Sequence, residues 1–170
     1  MRFDVTHKIA GIDVAGFERL YFDEAFNEAL CQAVGLKRRL IRLTTEGGNI
    51  VREVQITPER EIPAPVAKIL GGEAIAYTET IQYTLGSGRG RWQTQSSVLT
   101  DKITSDGEIF IRKAAGNDVE RQVTGHVTVR IFGLGGIIER FIVADVEKSY
   151  EQAAQFSQKY LAASPASIRM

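Results

Sequence analysis

The sequence is short of the residues that most often build covalent and metal-dependent sites. It contains one cysteine, Cys31, and two histidines, His7 and His126. A single cysteine cannot close a disulfide within the chain, and this is typical of proteins from a reducing compartment. No closely spaced group of His, Cys, Asp and Glu indicates a metal site. We therefore expect a cytoplasmic protein that has no metal and no cofactor.

The chain also lacks an excess of either charge and any long apolar run. Lys+Arg and Asp+Glu both number 21, and this balance argues against a nucleic-acid partner. No stretch approaches the ~18 uncharged apolar residues of a membrane span. Because a strand pattern begins at Arg2, we expect no signal peptide. The one basic cluster, 37–39 with Arg42, is by default a solvated strand edge. Peripheral membrane contact through this cluster is the alternative.

Proline is scarce, and three of the four prolines lie in the segment 58–72. Because proline cannot donate to a strand ladder, this insert is not a central strand, although 66–70 can form a helical turn. Alternating apolar and polar residues predict strands elsewhere, and Ser105-Asp106-Gly107 is expected to be a turn between two of them. The predicted strands are Arg2 to Ile12, Leu36 to Thr45, Ile50 to Thr57, Ala74 to Leu85, Arg91 to Leu99, Glu108 to Ala114 and Val119 to Phe132.

Helices are predicted in two places. Asp13 can cap a first helix, and the Asp23-Glu24 step favours two short helices before Gly35. A much longer helix, of roughly 39 Å, runs from about Gly136 to Ala162. Its apolar stripe consists of Ile138, Ile142, Val146, Ser149, Ala153, Phe156 and Tyr160. A helix apolar on one side needs an equally long surface, which a curved antiparallel meander of about seven strands supplies. We expect one domain over 1–163 and a disordered tail over 164–170.

In the segment 125–139 a Val-x-Val strand meets a Gly-Gly-x-Ile-Glu helix start. In this segment and in its order of elements, the chain resembles the START-like (SRPBCC) helix-grip superfamily. The residues of that segment are most similar to those of a bacterial branch of this superfamily that is classed as a domain of unknown function. The resemblance implies an α+β helix-grip fold with the long helix in the concave face of the sheet. It also implies a pocket for an apolar ligand between sheet and helix.

The middle of the long helix is built of small side chains. Ser149 and Ala153 face the sheet there, between bulkier residues at both ends of the helix. Empty volume costs ~24 cal/mol per Å³, so such a gap is either packed from the opposite side or occupied by a ligand. Our hypothesis is that Ser149 and Ala153 roof a cavity. The alternative is that Trp92, Tyr77 or Tyr83 fills the space.

Several polar side chains share predicted inward faces with apolar ones, among them His7, Glu79, Thr94 and Ser96. A buried carboxylate needs a cation or a proton, so Glu79 can be a polar anchor within an apolar pocket. A satisfied core pair, or a Glu79 that reaches water, is the structural alternative; for His7 a plain core hydrogen bond is favoured. The predicted ligand-binding residues are Val5, His7, Tyr77, Glu79, Ile81, Tyr83, Trp92, Val127, Val129, Ile142, Val146, Ser149 and Ala153.

Three functions are compatible with these patterns. The first is binding of a hydrophobic or amphipathic small molecule or lipid between sheet and helix. The second is a cyclase- or dehydratase-type enzyme in which Glu79, assisted by His7 or a tyrosine, moves protons in a dry pocket. The third is a filled core whose outer surface contacts proteins or membranes. Oligomeric state does not follow from the sequence.

Overall fold

The computed structural model describes residues 1–72 and 75–163. The predicted tail and the predicted start of a strand at Ala74 lie outside them. Seven strands and four helices follow one another along the described part of the chain. They are β1 (Arg2–Ile9), α1 (Val14–Tyr21), α2 (Glu24–Ala33), β2 (Leu36–Glu46), β3 (Asn49–Pro58), α3 (Ala64–Ile69), β4 (Tyr77–Thr84), β5 (Arg89–Ser96), β6 (Ile103–Lys113), β7 (Val119–Val129) and α4 (Gly135–Ala163).

The strands form one antiparallel sheet in the order β1-β7-β6-β5-β4-β3-β2. Strands β2 to β7 are a simple meander, and β1 pairs with β7 at one edge while β2 forms the other. Helices α1 and α2 carry the chain between these two edges. Asp13 and Asp23 cap them by accepting from the Gly16 and Phe26 amides, at 2.7 and 2.8 Å. The predicted helix-grip architecture, with a curved sheet and a long C-terminal helix, is confirmed.

One predicted turn is wrong. Ser105, Asp106 and Gly107 lie inside β6, paired with β5 and β7. The chain turns earlier, over 97–102, where Leu99 has a φ of 51°. Glycine in a sequence indicates either a turn or a close approach of other atoms, and at Gly107 the second applies.

Glycines and aromatic rings share a row that crosses four strands. Trp92 pairs with Gly107, Gly107 with Gly125, and Gly125 with Phe3. The rings of Phe3 and Trp92 lie 5.8 Å apart, and a Cβ on Gly125 would come within 2.5 Å of both. A Cβ on Gly107 would lie 1.9 Å from the Thr124 carbonyl oxygen. Gly125 therefore leaves room for the two rings, and Gly107 lets β6 and β7 approach each other closely.

Helix α4 packs tightly against the rest of the molecule at its two ends. It contacts β1, β7 and α2. Near its start Ile138 is fully buried, and near its end Phe156 and Tyr160 pack on Phe26 of α2, with ring centroids 5.9 and 5.1 Å away. The middle of the helix lies over open space.

The glycine-rich joint before α4 has a structural role. A Cβ on Gly135 would lie 2.4 Å from the Val129 carbonyl oxygen, so helix and strand approach closely there. Glu139 accepts from the Val129 amide at 3.0 Å. This hydrogen bond lowers the pKa of the Glu139 carboxyl below its usual range. The Gly-Gly-x-Ile-Glu motif thus connects β7 to α4, and these contacts give it a structural role.

Gly107→Ala is expected to destabilise the fold. The added Cβ meets backbone that cannot move away, so unfolding free energy should fall by roughly 1–3 kcal/mol or more. Gly136→Ala is the matched control, because a Cβ there meets nothing within 4 Å and helical alanine is favoured over glycine. Urea unfolding midpoints of both variants measure the difference; equal midpoints would contradict the role of Gly107.

Glu139→Gln should make stability less dependent on acid pH. The folded-state pKa of Glu139 is depressed, so its contribution is present above the unfolded value of about 4.3 and disappears as pH falls through the folded value. At pH 7 we expect the variant to be about 0.5–1.5 kcal/mol less stable, and the gap to close in acid. Urea unfolding across pH tests this, with Glu147→Gln on the exposed side of α4 as control. A gap that persists unchanged in acid would disprove it.

Candidate functional site

A cavity of about 270 Å³ lies between the concave face of the sheet and the middle of α4. Helices α1 and α2 and the insert after β3 complete its walls. Trp92 does not fill it: the ring lies beside Phe3, and its Nε1 donates to the Thr124 carbonyl at 3.2 Å. Ser149 and Ala153 both line the cavity from α4. The cavity is therefore present because the side chains of Ser149 and Ala153 are small and because Trp92 packs beside Phe3.

The structure divides the predicted ligand-binding residues into two groups. The lining group is Tyr77, Glu79, Trp92, Val127, Ile142, Val146, Ser149 and Ala153. The other group also faces inward but does not reach the cavity: Val5, His7, Ile81, Tyr83 and Val129. Tyr83 packs on Phe22 of the α1–α2 junction, with ring centroids 5.2 Å apart. Val129 lies under the start of α4. An inward face extends along the whole sheet, whereas the cavity occupies only its middle.

A polar row crosses the floor of the cavity. Glu79, Thr94 and Ser105 are successive partners on β4, β5 and β6, and the Thr94 and Ser105 hydroxyls are hydrogen-bonded. Burial raises the pKa of the Glu79 carboxyl, against the opposing effect of the Arg52 and Arg38 guanidiniums. Ser105 was missed in the sequence because its segment was interpreted as a turn.

Two buried arginines were also missed. Arg52 and Arg121 line the cavity and are 5% and 3% exposed. The alternation of inward and outward residues along β3 and β7 did indicate that both arginines face inward. Arg52 shares the inward side of β3 with Ile50 and Val54, and Arg121 shares the inward side of β7 with Val123. An arginine in such a series is usually assumed to be solvated, and here neither one is.

Arg52 is held by the C-terminal end of α1. It donates to the Tyr21 carbonyl oxygen at 2.8 Å and lies over the Tyr21 and Phe22 rings, 5.4 and 5.1 Å from their centroids. A helix C-terminus carries partial negative charge, so this position favours a cation. Its Nε has no acceptor in the part of the chain that the structure describes.

Arg121 is surrounded by neutral groups. One terminal nitrogen donates to the Tyr150 carbonyl oxygen and to His7 Nδ1, each at 3.3 Å. A guanidinium has no acceptor, so Nδ1 carries no proton and the His7 Nε2–H donates to Glu151 at 2.9 Å. Burial lowers the pKa of Arg121. With both ring nitrogens engaged here, His7 does not converge with Glu79.

Three tyrosines and the cysteine add to the lining. Burial raises the pKa of Tyr21, Tyr77 and Tyr150, so their hydroxyls stay protonated and can donate. Burial also raises the pKa of Cys31 to about 11, so its sulfur is a thiol at neutral pH. A thiol is a poor nucleophile, and the Cys31 site is therefore unsuited to covalent catalysis.

Some residues that line the cavity are partly exposed to solvent. Arg60, in the insert, forms an ion pair with Asp145 of α4 and donates to the Ser149 hydroxyl at 2.9 Å. Glu61 beside it is exposed. The basic cluster of β2 is split: Arg38 turns inward and pairs with Glu24 at 2.6 Å, with 2% of its side chain exposed, so it is not part of a solvated strand edge.

Within residues 1–72 and 75–163 no group of three His, Cys, Asp or Glu side chains could hold a metal ion. None of the helices described combines the length and apolar character needed to cross a membrane.

Solved structures share this fold. TTHA0849 from Thermus thermophilus has a TM-score of 0.67 at 14% identity, covering 97% of this chain and 100% of its own. Zhui aromatase/cyclase from a Streptomyces species has a TM-score of 0.67 at 11% identity, with 96% of each chain covered. A START superfamily protein from Mycobacterium smegmatis has a TM-score of 0.60 at 13% identity, covering 95% and 97%. At these identities the likeness shows the fold alone.

No curated protein sequence matches this chain. A family model described as "Protein of unknown function (DUF2505)" matches residues 4–161. The predicted membership of a START-like branch of unknown function is confirmed. The chain belongs to the DUF2505 family and has the START-like helix-grip fold.

Proposed function

We propose that the protein binds an amphipathic or apolar small molecule in the cavity beneath α4. The observation that carries this proposal is the cavity itself, left open because the side chains in the middle of α4 are small and Trp92 packs beside Phe3. A space of this size can hold a small molecule, and its mainly apolar wall offers water few hydrogen-bond partners. These two properties favour an organic occupant.

The lining supports an occupant with one polar and one apolar part. Val54, Val127, Ile142 and Val146 provide apolar wall. The row beginning at Glu79, with the nearby arginines and tyrosine hydroxyls, provides polar groups that can fix an orientation. A purely apolar molecule would leave those buried polar groups unpaired.

The other two functions have less support. The enzyme hypothesis had Glu79 assisted by His7 or by a tyrosine hydroxyl. His7 is outside the lining and both its ring nitrogens are hydrogen-bonded, so of these two partners only tyrosines line the cavity with Glu79. The surface hypothesis required an apolar patch without an internal cavity. Strand β2 exposes Leu40, Ile41 and Leu43, but the cavity is present.

Val146→Phe is expected to weaken binding strongly while the protein still folds. Val146 borders the cavity from α4, so the larger ring occupies ligand space. We expect affinity for the neutral fluorescent probe N-phenyl-1-naphthylamine to fall on the order of tenfold or more. Native mass spectrometry of the purified protein should show a co-purified mass in wild type that is lost in the variant.

Ala144→Phe is the matched control, because Ala144 lies two residues earlier on the exposed side of the same helix. It should bind the probe as wild type does. Equal probe affinity in all three proteins would place the ligand elsewhere and reject the cavity as the binding site.

A further inference from the structure

The fixed charges around the cavity do not balance. Of the arginines that line it, Arg38 is paired with Glu24 and Arg60 with Asp145. Arg52 and Arg121 have no carboxylate within ion-pair distance among the described residues.

The acids that remain are too few to compensate these two cations. Among the described lining residues they are Glu79, which is inside, and Glu61, which is exposed to solvent. Counting residues 1–72 and 75–163, two buried guanidiniums therefore face at most one carboxylate inside the cavity. The charges of these residues leave a positive excess there whether Glu79 is ionised or not.

Arg121 is the less compensated of the two cations. Its acceptors, the Tyr150 carbonyl and His7 Nδ1, are neutral, and its Nε has none in the described part of the chain. Glu151 lies behind His7 and is 57% exposed, so water screens it. Leaving a buried cation without an anion is costly, whereas Arg52 at least has the negative end of α1.

Two tyrosines lie beside these cations. Tyr150 lines the cavity with its ring 5.0 Å from the Arg121 guanidinium. Tyr21 also lines the cavity, with its ring 5.4 Å from the Arg52 guanidinium. Guanidinium and tyrosine hydroxyl groups both donate hydrogen bonds, and the oxygens of a carboxylate accept charge-assisted ones.

We propose that the cavity takes an anionic amphiphile of the straight-chain monocarboxylate class. Its carboxylate lies against Arg121, with Tyr21 and Tyr150 as hydrogen-bond donors, and its hydrocarbon part lies along Val127, Ile142 and Val146. This inference rests on the proposed function and narrows it from any amphipathic ligand to an anion.

The experiment compares ligands with one tail and different heads. Decanoate, decan-1-ol and decylamine compete for N-phenyl-1-naphthylamine at pH 8 in wild type, Arg121→Met and Arg112→Met. We expect wild type to bind decanoate roughly 10- to 100-fold more tightly than decanol, the range of a charge-assisted hydrogen bond. Arg121→Met should lose that preference and keep its affinity for decanol.

Arg112→Met is the control because it removes the same charge from β6, at a side chain that is half exposed and outside the cavity lining. It should behave as wild type. If Arg121→Met does not fold, Tyr150→Phe replaces it, with an expected severalfold loss for decanoate and none for decanol.

Each of the other possible outcomes rejects either the anion proposal alone or the proposed function as well. Equal binding of decanoate and decanol by wild type overturns the anion proposal and leaves the proposed function standing. Tightest binding of decylamine overturns it in favour of Glu79 as the anchor. If the probe and all three ligands fail to bind, the proposed function fails as well.

Discussion

The close approach of aromatic rings to bare backbone in the middle of the sheet is the contact on which the rest of the structure depends. Gly107 and Gly125 face each other on β6 and β7, and the rings of Trp92 and Phe3 meet over Gly125. A Cβ on Gly125 would collide with both rings, and a Cβ on Gly107 would collide with the β7 backbone at Thr124. Because Trp92 packs beside Phe3 and donates to the Thr124 carbonyl, the largest residue in the concave face does not fill the cavity.

The buried arginines give that cavity its electrostatic character and also attach the surrounding helices. Arg52 donates to the last carbonyl of α1, and Arg121 donates to a carbonyl in the middle of α4. Burying a cation is costly, so each guanidinium needs acceptors from the element packed above it. The two arginines whose hydrogen bonds attach α1 and α4 to the sheet are thus also the source of the positive charge at the cavity wall.

Local periodicity predicted much of the fold. The strands around Val5 and Val127 and the stripe of α4 were recognisable because period 2 and period 3.6 depend only on neighbouring residues. The predicted turn at Gly107 failed because glycine serves two purposes that the local sequence does not distinguish. Arg121 was overlooked although its position in the alternation is inward, since arginine is rarely buried.

The sequence by itself determined the order of elements, the inward faces, and the small residues Ser149 and Ala153 in the middle of the last helix. These follow from backbone geometry and side-chain volume along a continuous segment. Only the tertiary structure decided which inward residues reach the cavity and which charges meet there. Arg52, Glu79 and Arg121 are far apart along the chain, and only strand register and helix placement bring them around one space. That is why the pattern of one strand predicted that Glu79 faces inward, whereas the excess of positive charge around it could not be predicted from the sequence.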